Sequence, residues 1–135
     1  MRLPASRSVD VRAVTPISGY AGLLDVVDDG RDFRYRRCSA VIVALTGYDL
    51  TGKLVSEYAV GSSVIYMVES TLAIHRAAYR RVEPVYVERA PVGAVMPHGW
   101  HSLLLPLADD AGTVGSFLHG AVPIGAGGLP IPTRF

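Results

Sequence analysis

The architecture turns on residues 62–84, SSVIYMVESTLAIHRAAYRRVEP. Ser62 or Ser63 can open a helix, since a serine oxygen accepts from the unpaired amides of a first turn. From there Val64, Met67, Val68, Thr71, Leu72, His75, Ala78, Tyr79 and Val82 recur at ~100° per residue and form one largely apolar stripe. Glu69, Arg76 and Arg80 fall on the opposite side and belong in water. Pro84 disfavours helical geometry at Glu83 and closes the element. The spacing therefore predicts a helix over Val64 to Val82, with one face buried and one solvated.

Working outward, the flanks on both sides read as strands. Upstream, Leu23 to Val27 is a short apolar run, and Asp28-Asp29-Gly30-Arg31-Asp32 has the composition of a turn. Phe33 to Cys38 alternates aromatic and basic residues at period two, the mark of a half-exposed strand, so the two runs make a hairpin. Strict alternation puts Phe33, Tyr35 and Arg37 on one face and Arg34, Arg36 and Cys38 on the other. Ser39 can cap a short helix, Ala40 to Leu45, that halts at Gly47. Tyr48 to Tyr58 reads as loop with one further turn. Downstream, Val85 to Ala90 is a strand and Pro91 to Pro97 a loop. Gly99 to Leu107 is a second strand, turned at Asp109-Asp110-Ala111-Gly112 into its antiparallel partner, Thr113 to Ile124. The organisation is a leader over residues 1–20 packed on the domain, one domain over 21–124, and a Gly/Pro-rich tail over 125–135. The expected fold class is α+β: a five-stranded antiparallel sheet with short helices and one long helix over one face.

Composition narrows the function. At 135 residues, half of them hydrophobic, the chain is one domain with one core. Thirteen basic against twelve acidic residues leave a net charge of +1, which argues against a phosphate-neutralising nucleic-acid face. A single cysteine, Cys38, excludes an internal disulfide framework and a multi-cysteine zinc site. The apolar runs fall short of the ~18 residues that span a bilayer, and Met1-Arg2-Leu3-Pro4 begins no signal peptide. A soluble, cytoplasmic domain is the expectation. Every basic residue but Lys53 is arginine; arginine can grip anions bidentately, but a skewed base composition gives the same bias with no functional meaning.

Several strings resemble the PAS-like sensor domains common in alphaproteobacteria. They are Leu24-Asp25-Val26, Gly30-Arg31-Asp32-Phe33-Arg34-Tyr35-Arg36, Gly47-Tyr48-Asp49-Leu50-Thr51-Gly52-Lys53, Pro84-Val85-Tyr86, and Leu103-Leu104-Leu105-Pro106-Leu107-Ala108-Asp109-Asp110. The order of two strands, short helices, one long helix and three strands is also the PAS order. The resemblance spans about residues 23–120. It departs at Ser39, where the family usually has glycine, and at Arg37, where it usually has an apolar residue. It implies a PAS-like fold and a stand-alone, non-catalytic sensory module with a cavity between sheet and long helix. It further implies a homodimer and a separate signalling partner to carry the output. In some PAS domains a histidine on the corresponding helix ligates a haem iron, which would here be His75.

The residues themselves leave three readings open: a ligand-binding sensor, a dimerisation or interaction domain with a filled core, and a small acid–base enzyme. The enzyme would need a histidine and a carboxylate to converge, with His75 and Asp25 the nearest candidates. No G-x-S-x-G turn precedes a helix. On a strand His98 and His101, three apart, point to opposite faces, which is wrong for a shared metal; in a loop they could converge, but no carboxylate nearby completes a set. Asp28-Asp29 and Asp109-Asp110 are turn residues, and Gly125-Ala126-Gly127-Gly128 lacks the helix and lysine of a phosphate loop. Cys38 reads as an ordinary buried thiol, because the helical motif of photo-adduct cysteines is absent. For a sensor, the expected ligand contacts are Tyr35 and Arg37 from the second strand and Thr71, His75 and Tyr79 from the helix. Arg37 would favour a carboxylate or phosphate. The alternative for Arg37 is a position on the rim, and for His75 a core imidazole bonded to a carbonyl.

Overall fold

The computed structural model describes residues 3–10, 17–57, 62–89 and 99–132, with the backbone alone at 17, 18, 62–67 and 126. Five strands, β1 (Ala21–Val27), β2 (Asp32–Arg37), β3 (Val85–Arg89), β4 (Gly99–Ala108) and β5 (Val114–Ile124), form one antiparallel sheet in the order β2-β1-β5-β4-β3. Two helices, α1 (Ala40–Thr46) and α2 (Ser62–Arg81), connect β2 to β3. The chain is thus α+β, as its pattern predicts. The expected loop Pro91–Pro97, with Ala90 and His98, lies outside the described residues, as do the side chains of Val64 and Met67.

The β1–β2 hairpin is tight because three successive turn residues, Asp28, Asp29 and Gly30, adopt positive φ (53°, 52° and 83°). Aspartate tolerates this region and glycine is unstrained in it. Gly30 has a second reason to be glycine. A Cβ there would lie 2.3 Å from the ring of Tyr79, so the last turn of α2 rests directly on the hairpin. Arg76 adds a bond from its Nε to the Arg31 carbonyl at 2.8 Å. Tyr79 is thereby a clasp between helix and hairpin.

Strict alternation fails at one point along β2. Leu24 pairs with Tyr35 while the adjacent Leu23 pairs with Arg37, so Arg36 is an extra residue, a β-bulge. Paired residues share a face. Leu23 belongs to a small outer cluster with Ala21 and Leu107, whereas Leu24 belongs to the main core with Phe33 and Phe117. Arg37 therefore lies on the outer face, opposite to its expected side, and Cys38 turns inward into the core beside Tyr35 and Leu50. The bulge brings the Arg37 carbonyl so near Gly22 that a Cβ there would meet it at 2.7 Å. Bulged Arg36 bonds Asp25 on the outer face, and this pairing raises the Arg36 pKa.

After the bulge, Ser39 is extended (ψ 144°) and α1 follows, ended by Gly47 in the left-handed region (φ 77°). Ser39 occupies the predicted cap position, but its hydroxyl makes no capping bond and is buried without a partner. The following loop returns to the free edge of β2. Gly52 donates to the Tyr35 carbonyl at 2.7 Å, Tyr35 donates to the Lys53 carbonyl at 3.0 Å, and Arg34 Nη1 reaches the Gly52 carbonyl at 2.8 Å. The strings that begin at Gly30 and Gly47 are thus stitched together through backbone bonds.

Helix α2 keeps its predicted orientation over its described length. Val68, His75 and Ala78 are buried, Thr71, Leu72 and Tyr79 half-buried, and Glu69, Arg76 and Arg80 exposed. Val82 is the exception: it leaves the helix at φ 55° and is 45% exposed. The N-terminal segment lies along the sheet's outer face. Ala5 bridges Ala108, the Ser6 and Ser116 hydroxyls bond at 2.8 Å, and Val9 packs on the outer cluster. Among the described residues no helix is long and apolar enough to cross a membrane.

The two turn glycines Gly30 and Gly112 share positive φ, but a Cβ at Gly112 meets nothing within 4 Å. Gly112→Ala should therefore cost only the backbone strain, about 1–2 kcal/mol. Gly30→Ala should cost about 1–3 kcal/mol more, because Tyr79 must move. Urea unfolding of the two variants measures the difference, and equal costs would show that the helix does not press on the hairpin.

Candidate functional site

Between the inner face of the sheet and the cover formed by α1, the following loop and α2 lies a cavity of about 90 Å³. Its apolar wall comes from Ile42 on α1, Leu50 and Val55 of the loop, Val68 on α2, and Leu104 and Ala121 on the sheet. Its polar lining includes Tyr35, Thr71, His75, Arg89, Ser102 and His119. The strand positions follow one alternation: Ser102 pairs with Ala121 and Leu104 with His119, so all four face inward.

Three of the five expected ligand contacts, Tyr35, Thr71 and His75, meet in this cavity. Arg37 does not, because the bulge turns it to the outer face. Tyr79 does not, because it is committed to Gly30 at the hairpin. The basic residue at the cavity is instead Arg89, at the end of β3, whose Nη2 donates to Thr71 Oγ1 at 2.6 Å. Arg89, Trp100, Ser102 and His119 are absent from the expectation drawn from the sequence. The period-two pattern held the signal: Val85-x-Val87-x-Arg89 on β3 and Phe117-x-His119-x-Ala121 on β5 place Arg89 and His119 on the core-facing side.

His75 is 2% exposed and sits against Phe33 and Phe117, with ring centroids 5.2 and 6.3 Å away. Its Nδ1 donates to the Thr71 carbonyl at 2.8 Å, one helical turn back. A carbonyl only accepts, so the proton resides on Nδ1 and Nε2 carries the lone pair. Nε2 is buried and has no hydrogen-bond partner. His119, also buried, places its ring 5.9 Å from that of His75. Burial lowers the His75 pKa from 6.5 to about 4, opposed by the Thr71 bond and reinforced by the Arg89 charge. Burial likewise lowers His119 to about 3, with His75 and Arg89 adding to the effect. Both imidazoles are neutral at physiological pH.

The other arrangements weighed from the sequence are not assembled. Asp25 is bound to Arg36 on the outer face, across the sheet from His75, so the two form no acid–base pair. With Nδ1 bonded to the Thr71 carbonyl, a haem iron on His75 could be ligated only by Nε2. Among the described residues no three His, Cys, Asp or Glu side chains group to hold a metal ion. His101 faces outward against Tyr86, at 6.1 Å between centroids, and His98 lies outside the described residues. Asp109 is a turn residue, accepting from the Ala111 and Thr113 amides and the Thr113 hydroxyl. Burial pushes the Cys38 thiol up, which makes it a poor nucleophile.

No protein family matches this chain, and no curated protein and no solved structure matches it.

The two histidines give the fold a specific acid sensitivity. The unfolded chain takes up protons at these sites below 6.5, whereas the fold resists until about 4 at His75 and about 3 at His119. Stability is therefore complete above 6.5 and falls as the pH drops towards the folded values. Between the unfolded value and ~pH 5 the loss should be about 2 kcal/mol per histidine. His75→Phe, which suits the aromatic neighbours, should remove about half of the combined loss when urea midpoints are compared at ~pH 7 and ~pH 5. An unchanged loss would mean that His75 is not buried neutral.

Proposed function

We propose that this chain is a PAS-like sensory module that binds a small molecule in the cavity between sheet and α2. It is non-catalytic and relays occupancy through a homodimer or a partner signalling protein. The element order along the chain supports the PAS-like reading, as does the placement of both helices over one face. The observation that carries the function is His75 Nε2, a buried acceptor without a partner that belongs to a residue lining a cavity. An unsatisfied buried polar atom costs about 1–3 kcal/mol. A ligand that supplies the missing donor recovers that cost, and an apolar cavity with a few convergent polar groups is the usual form of a small-ligand site. Asp25 and His75, the acid–base pair an enzyme would need, stand on opposite sides of the sheet, which favours binding over catalysis.

For the dimer, the support is the outer face of β3 and β4, where Tyr86 (58% exposed) and its cross-strand neighbour Leu103 (39%) lie open. The N-terminal segment covers the outer cluster of Ala21, Leu23 and Leu107 instead. Leu103→Glu should convert a dimer to single chains in sedimentation at micromolar concentration. A wild-type protein that sediments as one chain would remove the dimer from this reading.

The cavity is tested by a thermal-shift screen of small metabolites against wild type and Ala121→Leu, which fills part of the cavity from the sheet side. A ligand at ~100 times its dissociation constant should stabilise wild type by about 2.7 kcal/mol and the variant much less. A compound that stabilises both alike binds elsewhere. If no compound stabilises wild type, the module is an interaction domain without a ligand.

A further inference from the structure

The two edges of the sheet differ. The edge at β2 is closed: Gly52 donates to the Tyr35 carbonyl, Tyr35 donates to the Lys53 carbonyl, and Leu54 bridges Arg34. At the other edge β3 pairs with β4, and no described strand pairs with its far side. A bare edge offers a row of backbone donors and acceptors to another chain, and natural edges are blunted by lysine, proline or a bulge. Strand β3, VYVER, contains none of the three.

That strand fits a second copy of itself in one register. Antiparallel pairing about a two-fold axis keeps faces matched only if the axis passes through a residue. Through Val85 or Arg89, a single residue of the strand would overlap its counterpart. Through Glu88, two carboxylates would stand opposite each other, which is destabilising. Through Tyr86, Glu88 would meet Pro84, which has no amide to give. Through Val87, each Tyr86 stands opposite the Glu88 of the other copy, and no like charges meet. Both side chains are exposed. Within one chain the Tyr86 hydroxyl already donates to Glu88 Oε1 at 3.1 Å, so the phenol suits that carboxylate.

Resting on the homodimer reading, we infer that two copies join through β3, antiparallel about Val87, with Tyr86 of each against Glu88 of the other. The join uses the backbone of the edge and side chains of the outer face, so Arg89 keeps its bond to Thr71. Leu103 and Tyr86 of one copy then stand in a row with Glu88 and His101 of the other, because each is cross-strand to its neighbour. A carboxylate at Leu103 would enter that row and load it with a second acid.

The experiment is sedimentation equilibrium of the whole chain at neutral pH and low salt, with variants that set the signs of Tyr86 and Glu88. Tyr86→Glu puts like charges opposite each other twice in the dimer, as does Tyr86→Lys combined with Glu88→Lys. Both should weaken the dimer about tenfold or more. Tyr86→Lys alone and Tyr86→Glu combined with Glu88→Lys put opposite charges there, and both should stay within about threefold of wild type. Each sign pattern has two variants, so one serves if the other does not fold. Variants that weaken the dimer alike, whatever their signs, show Tyr86 packing on a face and not across the edge. That overturns the inference and leaves the homodimer standing, as do variants that all pair as tightly as wild type. A wild type that sediments as one chain overturns both.

Discussion

Pairing of β1 with β5 is the constraint from which the rest of the architecture follows. It joins the first hairpin to the last strand in the middle of the sheet, with β2 at one edge and β3 at the other. The chain between β2 and β3 must then cross the full width of the sheet. It does so over one face, because the outer face carries the N-terminal segment and the Asp25–Arg36 pair. Helix α2 is fastened at its C-terminal turn, where Tyr79 rests on Gly30. The loop after the short helix α1 is fastened to the edge of β2. A cover held at its margins in this way need not collapse onto every residue beneath it, and the cavity is the space it leaves over β4 and β5.

Much of this was legible in the sequence, and the failures are local. The stripe of α2 follows from a 100° period sustained over five turns, so the solvent side of Glu69, Arg76 and Arg80 could be read directly. Both hairpins announce themselves through Asp and Gly in their turns, where Asp28, Asp29, Gly30 and Gly112 take positive φ. Strand order could not be read, because nothing in a single sequence says that Leu24 pairs with Phe117; that choice is made by the packing of Leu24, Phe117 and Phe33 together. Helix α2 ends at Arg81, one residue before the end that its stripe predicts. Val82 continues the stripe by count, but the chain turns there before Pro84, and a valine at positive φ has no local signature.

The candidate site was half legible for a different reason. Alternation is a relative rule, and one inserted residue inverts everything beyond it. The bulge at Arg36 exchanges Arg37 for Cys38, which removes the expected anion-binding arginine and buries a thiol in its place. The exchange is physically sensible. An inward Arg37 would have carried a guanidinium into the core among Tyr35 and Leu50, a heavy desolvation cost without a carboxylate to meet it. Outward, Arg37 costs little. The arginine that does line the cavity is Arg89, whose edge strand keeps it half-exposed.

His75 fits the expected description of a core imidazole, with one feature that packing does not explain. Its Nδ1 bond to the Thr71 carbonyl is the ordinary bond of a core imidazole in a helix, and its contacts with Phe33 and Phe117 are those of a core residue. A phenylalanine or leucine would fill such a position without an unsatisfied nitrogen, and would stabilise the fold at acid pH. What distinguishes histidine is the lone pair on Nε2, held in one orientation by the helix, kept neutral by burial and by Arg89, and shielded from bulk water. Orientation, fixed protonation state and dryness are each unnecessary for packing. Together they are what selective recognition of a hydrogen-bond donor requires, because a dry acceptor discriminates against a ligand that cannot satisfy it far more strongly than a hydrated one does.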